Sequence, residues 1–199
     1  NVTIKNYPKP YVALMGGIDM GGGVGISVNG SHRVASERLT FAMPETGIGL
    51  FPDVGGTYFL PRCPGEIGMF LGLTGERLKA ADAIHAGIAD VFVPSENIAE
   101  LKSRLAAGDS FDVALKGLSG DAGEASFGTT RAQIDKHFSL GSVAEIVASL
   151  KTDGSEWATK VAGVLATKSP LSLLVAYRQI RAGAPDADAG AGQLDQRYY

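Results

Sequence analysis

The sequence predicts an α/β fold in its first part and a helical region in its second. Short apolar runs bounded by Gly and Pro suit buried strands, and a glycine-rich turn follows the first run and leads into a helix. Beyond residue 96, apolar residues recur three and four apart, which marks helix faces. We therefore assign residues 1–96 to a core that carries the active site and residues 97–199 to a helical C-terminal region.

The first part alternates short strands with short helices. Apolar runs predict strands over residues 11–15, 32–35, 39–43 and 88–93. One helix is predicted to open near Gly21 or Gly22, and two more cover residues 64–73 and 80–86. Pro64 lies near the first-turn position that proline favours, and Gly75 follows the helix as a stop.

The second part begins with a helix whose apolar face carries Ile98, Leu101 and Leu105. Residues 107–130 are rich in Gly, Ser and Asp, which predicts a loop or a weakly ordered linker. The stretch AGAPDADAGAG, residues 182–192, is of low complexity and is predicted to be mobile.

Three helices are predicted between the linker and this stretch. Ser142 with Glu145 three residues later is a capping-box pattern that starts the first helix, and Gly154 ends it. Its inward face is predicted to carry Val143, Ile146, Val147 and Leu150, and that of the next helix Trp157, Val161, Val164 and Leu165. Ser169 and Pro170 start the third helix, with Leu171, Leu174 and Val175 predicted to face inward.

The bulk composition is that of a globular chain. Apolar residues make up 45% and charged residues 20%, so we expect a substantial core. The net charge is -3 and no basic stripe follows a predicted helix, which argues against nucleic acid as a partner. No apolar run reaches the roughly 18 residues that a membrane-spanning helix needs. Because the chain begins at Asn1 in what reads as the middle of a fold, we expect that N-terminal sequence is missing.

Cysteine and histidine give no sign of a metal site or a nucleophile. The single Cys63 excludes an internal disulfide and fits a reducing compartment, and no histidine lies near it in sequence. His32, His85 and His137 are scattered without metal-ligand spacing, and no G-x-S-x-G elbow is present. We therefore expect no bound metal.

The glycine run MGGGVG, residues 20–25, fits neither G-x-G-x-x-G nor G-x-x-x-x-G-K-[ST], so a nucleotide-binding motif is not indicated. What remains is a strand followed by a helix whose first turn is glycine. The first N–H groups of a helix lack partners within it and carry the positive end of its dipole. Such a turn can bind a phosphate, or a carbonyl oxygen that gains negative charge during reaction. Tight packing of the helix on the strand is the alternative.

The segment FAMPETGIGLFPDVGG, residues 41–56, places Glu45 and Asp53 among apolar, Gly and Pro residues, each acid directly after a proline. Burying an ionised carboxylate is costly unless it is paired or hydrogen-bonded. One interpretation is a carboxylate pair, in which one acid attacks or acts as a base and the other holds a proton or a water. The alternative is that both acids cap helices or accept hydrogen bonds from turn N–H groups.

Together these pieces resemble the enoyl-CoA hydratase/isomerase, or crotonase, superfamily. The resemblance is strong over residues 9–93 and looser to about residue 183, and its most specific strings are MGGGVG, FAMPETGIGLFPDVGG and LTGERLKAADA. It implies a spiral of ββα units with a helical C-terminal region. It also implies an acyl-CoA substrate whose thioester carbonyl is bound by the backbone N–H of Gly22, and a catalytic role for Glu45.

Two positions resemble the hydrolases of the superfamily more than its hydratases. The hydratases carry a second catalytic glutamate in a GGGCE-like string, where this chain has Gly25. The hydrolases carry an aspartate in FPDVGG, here Asp53. The resemblance thus implies hydrolysis of 3-hydroxyisobutyryl-CoA to 3-hydroxyisobutyrate and coenzyme A, as in valine breakdown. Glu45 and Asp53 would be the catalytic pair, and both would line the substrate site with Gly22.

Two alternatives stay open at the level of sequence. An enoyl-CoA hydratase or isomerase is one, since an isomerase needs a single base and Glu45 could serve. A non-catalytic acyl-CoA-binding protein of the same fold is the other. Beyond acyl-CoA, the resemblance implies no cofactor, no nucleic acid and no membrane, and leaves room for a homo-oligomer. It implies the cytoplasm in a bacterium and the mitochondrial matrix in a eukaryote.

Overall fold

The structure, a computed structural model, describes residues 1–184. Its strands are β1 Val12–Met15, β2 Ile18–Asp19, β3 His32–Ala35, β4 Thr40–Phe41 and β5 Val91–Phe92. Its α-helices are α1 Val2–Lys5, α2 Gly22–Ser27, α3 Gly56–Phe59, α4 Ile67–Thr74, α5 Ala80–His85, α6 Ile98–Ala106, α7 Phe111–Leu115, α8 Phe127–Phe138, α9 Val143–Asp153, α10 Glu156–Ala166 and α11 Pro170–Ala182. Short 3₁₀ helices cover Glu45–Ile48, Leu60–Arg62 and Ser95–Asn97.

The chain forms two compact units, one of Asn1–Phe41 with Leu78–Phe127 and one of Ala42–Arg77 with Gly128–Tyr199. The predicted boundary after residue 96 is a different division, by type of element, and stays a prediction. The stretch predicted to be mobile lies outside the described residues from residue 185 onward. Between residues 1 and 184, none of the helices combines the length and apolar character that crossing a bilayer requires.

The first unit repeats a strand, strand, helix order. Strands β1, β3 and β5 form one parallel sheet in the order β1-β3-β5, and β2 pairs in parallel with β4 in another. The register sets Val12 opposite His32 and Ile18 opposite Thr40, so the second pair of strands follows the course of the first. This repetition is the predicted spiral of ββα units.

The core of the first unit lies between its larger sheet and the helices α6 and α7. Its buried members are Val34, Val93, Leu101, Ala114 and Leu118. The apolar face predicted for α6 is therefore confirmed at Leu101, and burial of this face is what holds so short a helix in place.

The second unit is built from helices that surround α4. All eight residues of α4 are buried, as expected for a helix that is apolar on every side. Phe70 of α4 meets Phe138 edge-on at a ring-centroid distance of 5.3 Å and stacks on Trp157 at 6.2 Å. Gly75, with a φ of 68°, ends the helix in the left-handed conformation that glycine adopts at little cost, as predicted.

Side-chain caps start the last three helices of the second unit. The Ser142 hydroxyl accepts from the N–H of Glu145 at 3.2 Å, which confirms the capping box. The Glu145 carboxylate accepts in return from the N–H of Gly141 at 2.8 Å, one residue before the cap. The same hydroxyl caps are made by Ser155 for α10 and Ser169 for α11.

Several element boundaries differ from the prediction. The strands predicted over 39–43 and 88–93 shrink to the two residues of β4 and of β5, and the helix predicted over 64–73 starts at Ile67. The linker predicted over 107–130 is wrong in part, because it contains α7 and the start of α8. Ala114 and Phe127 are buried there, so the burial of a few apolar residues outweighs the local content of Gly and Ser.

The face predicted for α11 is also wrong. Leu171 is 71% exposed within the described chain, and Leu174 and Val175 are exposed as well. The buried side chains of the helix are instead those of Leu173, Ala176 and Ile180, with Ser172. Both sets recur three and four residues apart, so periodicity alone could not choose between two apolar faces of one helix.

Candidate active site

Glu45 begins a tight 3₁₀ turn directly after Pro44. The N–H of Gly47 donates to the Pro44 carbonyl at 2.9 Å, and the N–H of Leu50 donates to the Glu45 carbonyl at 3.0 Å. Gly49, with a φ of 82°, ends the turn in the left-handed region. The fixed φ of Pro44 and the conformational freedom of Gly49 thus set the backbone position from which the Glu45 side chain extends.

The Glu45 carboxyl group is buried, with 4% of the residue exposed. Its Oε2 atom has no hydrogen-bond partner among residues 1–184. The pKa of Glu45 is raised to about 7, chiefly by burial; a backbone hydrogen bond lowers it in part, and the charge of Asp53 contributes to the rise. A buried carboxyl with an unpaired oxygen and a pKa near neutrality has the properties of a general base or a nucleophile.

Asp53 lies on the surface of the same unit, between Pro52 and a strained turn. Val54 has a φ of 46°, which is unfavourable for a β-branched residue, and Gly55 follows with a φ of 94°. Such strain costs roughly 1–3 kcal/mol and is typical of functional sites. The turn closes when the N–H of Gly56 donates to the Asp53 carbonyl at 2.7 Å.

Helix capping does not account for either acid. The residue before the Glu45–Ile48 turn is Pro44, and α3 is preceded by Gly55, so neither acid occupies a cap position. The two acids do act on each other, since the charge of Asp53 contributes to the raised pKa of Glu45. The carboxylate pair stays a prediction, and so does the alternative that the acids accept hydrogen bonds from turn N–H groups, since a backbone hydrogen bond lowers the pKa of Glu45.

Gln179 of α11 makes hydrogen bonds on both sides of the turn that contains Asp53. Its amide nitrogen donates to the Pro52 carbonyl at 2.5 Å and to the Thr57 hydroxyl at 2.6 Å. Both acceptors lie within four residues of Asp53, so the amide links the two sides of the turn. No local pattern reveals this contact in the sequence, because Gln179 lies 127 residues from Pro52 along the chain.

The glycine run belongs to the first unit, where Gly21, Gly22 and Gly23 have different surroundings. Gly21 has a φ of 54°, which favours glycine by conformation. Gly22 starts α2 and is exposed, and a Cβ placed on it would meet no atom of the described chain within 4 Å. Gly23 is crowded instead, since a Cβ there would lie 2.8 Å from Oδ1 of Asp19. Gly22 is thus exposed and uncrowded at the first turn of α2.

Asp19 was not singled out from the sequence, although it is the one acid in the stretch GGIDMGGGVG. It is buried, and its Oδ2 atom accepts from the Ser27 hydroxyl at 2.7 Å. Gly25, which stands where hydratases of the resembled superfamily carry a glutamate, is buried inside α2 and donates its N–H to Gly21 at 3.3 Å.

Each of the three histidines has a structural neighbour. His32 contacts Ser31 and Phe111, His85 faces Phe127, and His137 is fully buried beside Ser149 and Trp157. Throughout the described part of the chain, no group of three or more His, Cys, Asp and Glu residues is placed to hold a metal ion.

A model of one protein family, described as enoyl-CoA hydratase/isomerase, matches residues 1–196. The chain belongs to this family. A relative from Danio rerio, named 3-hydroxyisobutyryl-CoA hydrolase, mitochondrial, is 52% identical over 200 residues, with 92% of this chain and 51% of the relative covered. A Neurospora crassa relative, named small ribosomal subunit protein mS47, is 40% identical, with 92% of this chain and 41% of the relative covered.

A solved structure shares the fold of this chain. The crystal structure of a carnitinyl-CoA dehydratase from Mycobacterium thermoresistibile is 41% identical with a TM-score of 0.87, and the match covers 92% of this chain and 53% of that chain. The predicted crotonase fold is therefore confirmed. The chain spans about half the length of the curated relatives it matches.

Proposed function

We propose that the full-length protein hydrolyses 3-hydroxyisobutyryl-CoA to 3-hydroxyisobutyrate and coenzyme A, a step of valine breakdown. One observation carries the proposal: Glu45 is a buried acid with an unpaired oxygen and a pKa raised to about 7, next to a second acid. Relatives with 45–52% identity that are named for this hydrolysis support the choice of substrate.

Glu45 is proposed to act at the thioester carbon by one of two routes. In the first, its carboxylate oxygen bonds to that carbon, the carbon–sulfur bond breaks, and water then cleaves the mixed anhydride. In the second, Glu45 takes a proton from a water whose oxygen bonds to the carbon as the carbon–sulfur bond breaks. Asp53 is proposed to orient the water or to give a proton to the leaving thiolate.

Gly22 is proposed to donate its backbone N–H to the thioester oxygen, which becomes negative as the new bond forms. Its exposure and the open space around it support this role, because a substrate oxygen could reach the N–H group. No cofactor is needed in this scheme, since the two acids and the turn supply the base, the proton and the oxyanion contact. Coenzyme A takes part only as a portion of the substrate.

Location and assembly are part of the same proposal. For a eukaryotic source we propose the mitochondrial matrix, following the names of relatives such as that from Danio rerio. For a bacterial source we propose the cytoplasm, and a homo-oligomer in either case. Subcellular fractionation and the mass of the full-length protein in solution test these two points.

Two other functions have support of their own. The dehydratase title of the solved relative favours hydration chemistry, although Gly25 cannot exchange a proton with water in place of a glutamate. The ribosomal name of the Neurospora crassa relative favours a protein of this fold that binds without catalysis.

Two substrates distinguish these functions. The full-length protein is incubated with 3-hydroxyisobutyryl-CoA and separately with crotonyl-CoA, and free thiol and enoyl absorbance are followed. Thiol released from the first substrate alone supports the hydrolase. Loss of enoyl absorbance without thiol supports a hydratase, and no reaction with either substrate supports a binding protein.

A single turnover in ¹⁸O-water distinguishes the two routes of hydrolysis. Water attack on the Glu45 carbon of an anhydride leaves label in the Glu45 carboxylate, which mass spectrometry of a peptide containing residues 45–53 detects. Direct attack of water on the thioester carbon leaves label in the acid product only. The Glu45→Gln variant, which should not turn over, is the control for nonspecific labelling.

A further inference from the structure

A buried acid, Asp19, packs against the glycine turn that contains Gly22. Asp19, the last residue of β2, is 6% exposed. Its Oδ2 atom accepts from the Ser27 hydroxyl at 2.7 Å, and that hydroxyl also contacts the Val24 carbonyl at 3.3 Å. Ser27 is the last residue of α2, so this bond fixes the carboxyl group to the end of the helix.

The other oxygen of Asp19 reaches the beginning of the same helix. A Cβ on Gly23 would lie 2.8 Å from Oδ1, which means that this oxygen rests against the first turn. The carboxyl group therefore spans α2 from Gly23 to Ser27. Gly22 directly precedes this contact, and a Cβ placed on it would meet no atom of the described chain within 4 Å.

Helix α2 needs such a support. It has six residues, and within the described chain its first residue is preceded by Gly21, which makes no side-chain cap. A helix this short is not stable by itself in water. The direction of its first N–H groups is therefore set by what packs beneath them, and the Asp19 carboxyl is a polar group placed there.

We propose that Asp19 is a positioning residue of the thioester site: its carboxyl group, anchored by Ser27, fixes the turn that aims the Gly22 N–H at the thioester oxygen. The inference rests on the proposed function. Asp19 touches no substrate atom in this scheme and acts through the backbone of the glycine turn.

Burial and a hydrogen bond act in opposite directions on the pKa of Asp19, and no charged side chain lies in the neighbouring elements α2, β1 and β4. Burial raises the pKa of Asp19, and the hydrogen bond from Ser27 acts in the opposite direction. No ionisable side chain occurs in α2, which packs on β2, in β4, which pairs with β2, or in β1, which packs on α2.

If Asp19 positions the glycine turn, then substituting it should change kcat rather than KM. The bond from Gly22 strengthens as the thioester oxygen gains charge, so a misplaced N–H group weakens the transition state more than the bound substrate. In the full-length protein, we expect Asp19→Ala to lower kcat at least about tenfold with KM within about twofold. Asp19→Asn keeps the shape and the acceptor for Ser27, so its kcat should stay within about threefold of wild type.

Matched controls separate this role from a general loss of structure. Asp82→Ala removes another aspartate of the first unit that accepts from a serine, Ser126, and should leave both constants within about twofold. Ser27→Ala removes only the anchor and should lower kcat severalfold; it replaces Asp19→Ala should that variant not fold. Wild-type kcat in both Asp19→Ala and Ser27→Ala would overturn the inference, as would an Asp19→Asn loss equal to that of Asp19→Ala.

A second readout does not depend on hydrolysis. In protein labelled with ¹⁵N-glycine, the amide resonance of Gly22 is recorded with and without a thioether analogue of the substrate. We expect Asp19→Ala to move the resonance of the free protein and Asp19→Asn to leave it nearly in place. An unchanged Gly22 resonance in Asp19→Ala overturns the positioning role. A wild-type protein that releases no thiol overturns the proposed function instead, and this measurement keeps the two failures distinct.

Discussion

Each unit contains a buried acid, Asp19 in the first and Glu45 in the second. Their surroundings distinguish a carboxyl group with a structural role from one with the properties of a catalytic group. Asp19 and Glu45 are both almost fully buried, and burial raises the pKa of both. Asp19 has a partner, since its Oδ2 accepts from Ser27 at 2.7 Å. Glu45 has an oxygen without a partner in the described part of the chain. Buried polar atoms are nearly always satisfied, so the unsatisfied one is where a ligand or water is expected.

The residues around the two acids also differ in charge. Around Asp19 the helix α2 reads GGVGIS and carries no charge. Around Glu45 a second acid, Asp53, is close enough to raise its pKa, and the strained Val54 follows that acid. Strain and like charge near an unpaired oxygen are costly for folding, and sites that keep such features usually use them.

The largest expected effect tests the chemical side of the comparison. Glu45→Gln in the full-length protein should lower kcat at least about a hundredfold, the usual scale for an acid–base group. Its free energy of unfolding at pH 8 should stay equal or rise, because an amide is not penalised as a buried charge is. Enzyme kinetics and denaturant unfolding measure the two quantities, with Glu76→Gln, an exposed acid of the same unit, as the control. Near-normal hydrolysis by Glu45→Gln would sink both proposed routes.

A comparable loss is expected at the partner acid. Asp53→Asn should also lower kcat about a hundredfold, and the double variant should lose much less than the product of the two losses, because the acids act together. Since the charge of Asp53 raises the pKa of Glu45, the acid limb of kcat/KM should move to lower pH in Asp53→Asn. Additive losses and an unmoved acid limb would show that the two acids act independently.

Smaller effects are expected from alanine substitutions at the adjacent glycines Gly22 and Gly23. The first should act mainly on kcat and the second mainly on stability. Gly22→Ala places its methyl group in open space, so stability should change little, while kcat should fall about tenfold or more as the substrate carbonyl is pushed away. Gly23→Ala drives a methyl group toward Oδ1 of Asp19, so it should cost about 1–3 kcal/mol of stability. Thermal melts and kinetics on both variants test this reversal. Full activity with unchanged KM in Gly22→Ala would remove the oxyanion role.

Short strings in the sequence identify the residues of the proposed site, but they do not identify the residues that support it. Glu45, Asp53 and Gly22 stand in short strings whose spacing is visible along the chain. Asp19 and Gln179 act through contacts with residues that local pattern does not identify as their partners. The φ of Val54 is likewise a property of the folded backbone, and nothing in the residue type indicates it.

The fold shows the same division between local and distant information. Caps such as Ser142 and stops such as Gly75 are local signals, and the structure confirms them. The face of α11 depends on which of two apolar stripes meets the rest of the second unit, and the prediction chose the exposed one at Leu171 rather than the buried one at Leu173. That choice depends on tertiary packing, which periodicity within one helix does not record.

The last test compares the two acids by the pH dependence of stability. A folded-state pKa above the unfolded value stabilises the fold fully below the unfolded pKa, and this contribution is lost as pH rises through the folded pKa. For Glu45 the loss should run from about pH 4.5 to about 7, so wild type should weaken relative to Glu45→Gln across that window, by up to about 3 kcal/mol. Unfolding curves at several pH values measure the difference.

For Asp19 the same sign applies, and the effect should be smaller. Its pKa is raised from 3.8 by burial, so wild type should weaken relative to Asp19→Asn as pH rises above about 4. The hydrogen bond from Ser27 favours the ionised form, which shortens the window and reduces the loss. Ser27→Ala removes that bond, so in this variant the ionisation of Asp19 should weaken the fold over a wider range of pH. Among the bonds of the described residues, no serine supports Glu45 in this way. Equal pH slopes for the two acids would mean that the partner of Asp19 contributes nothing, and the distinction between the satisfied acid and the unsatisfied one would fail.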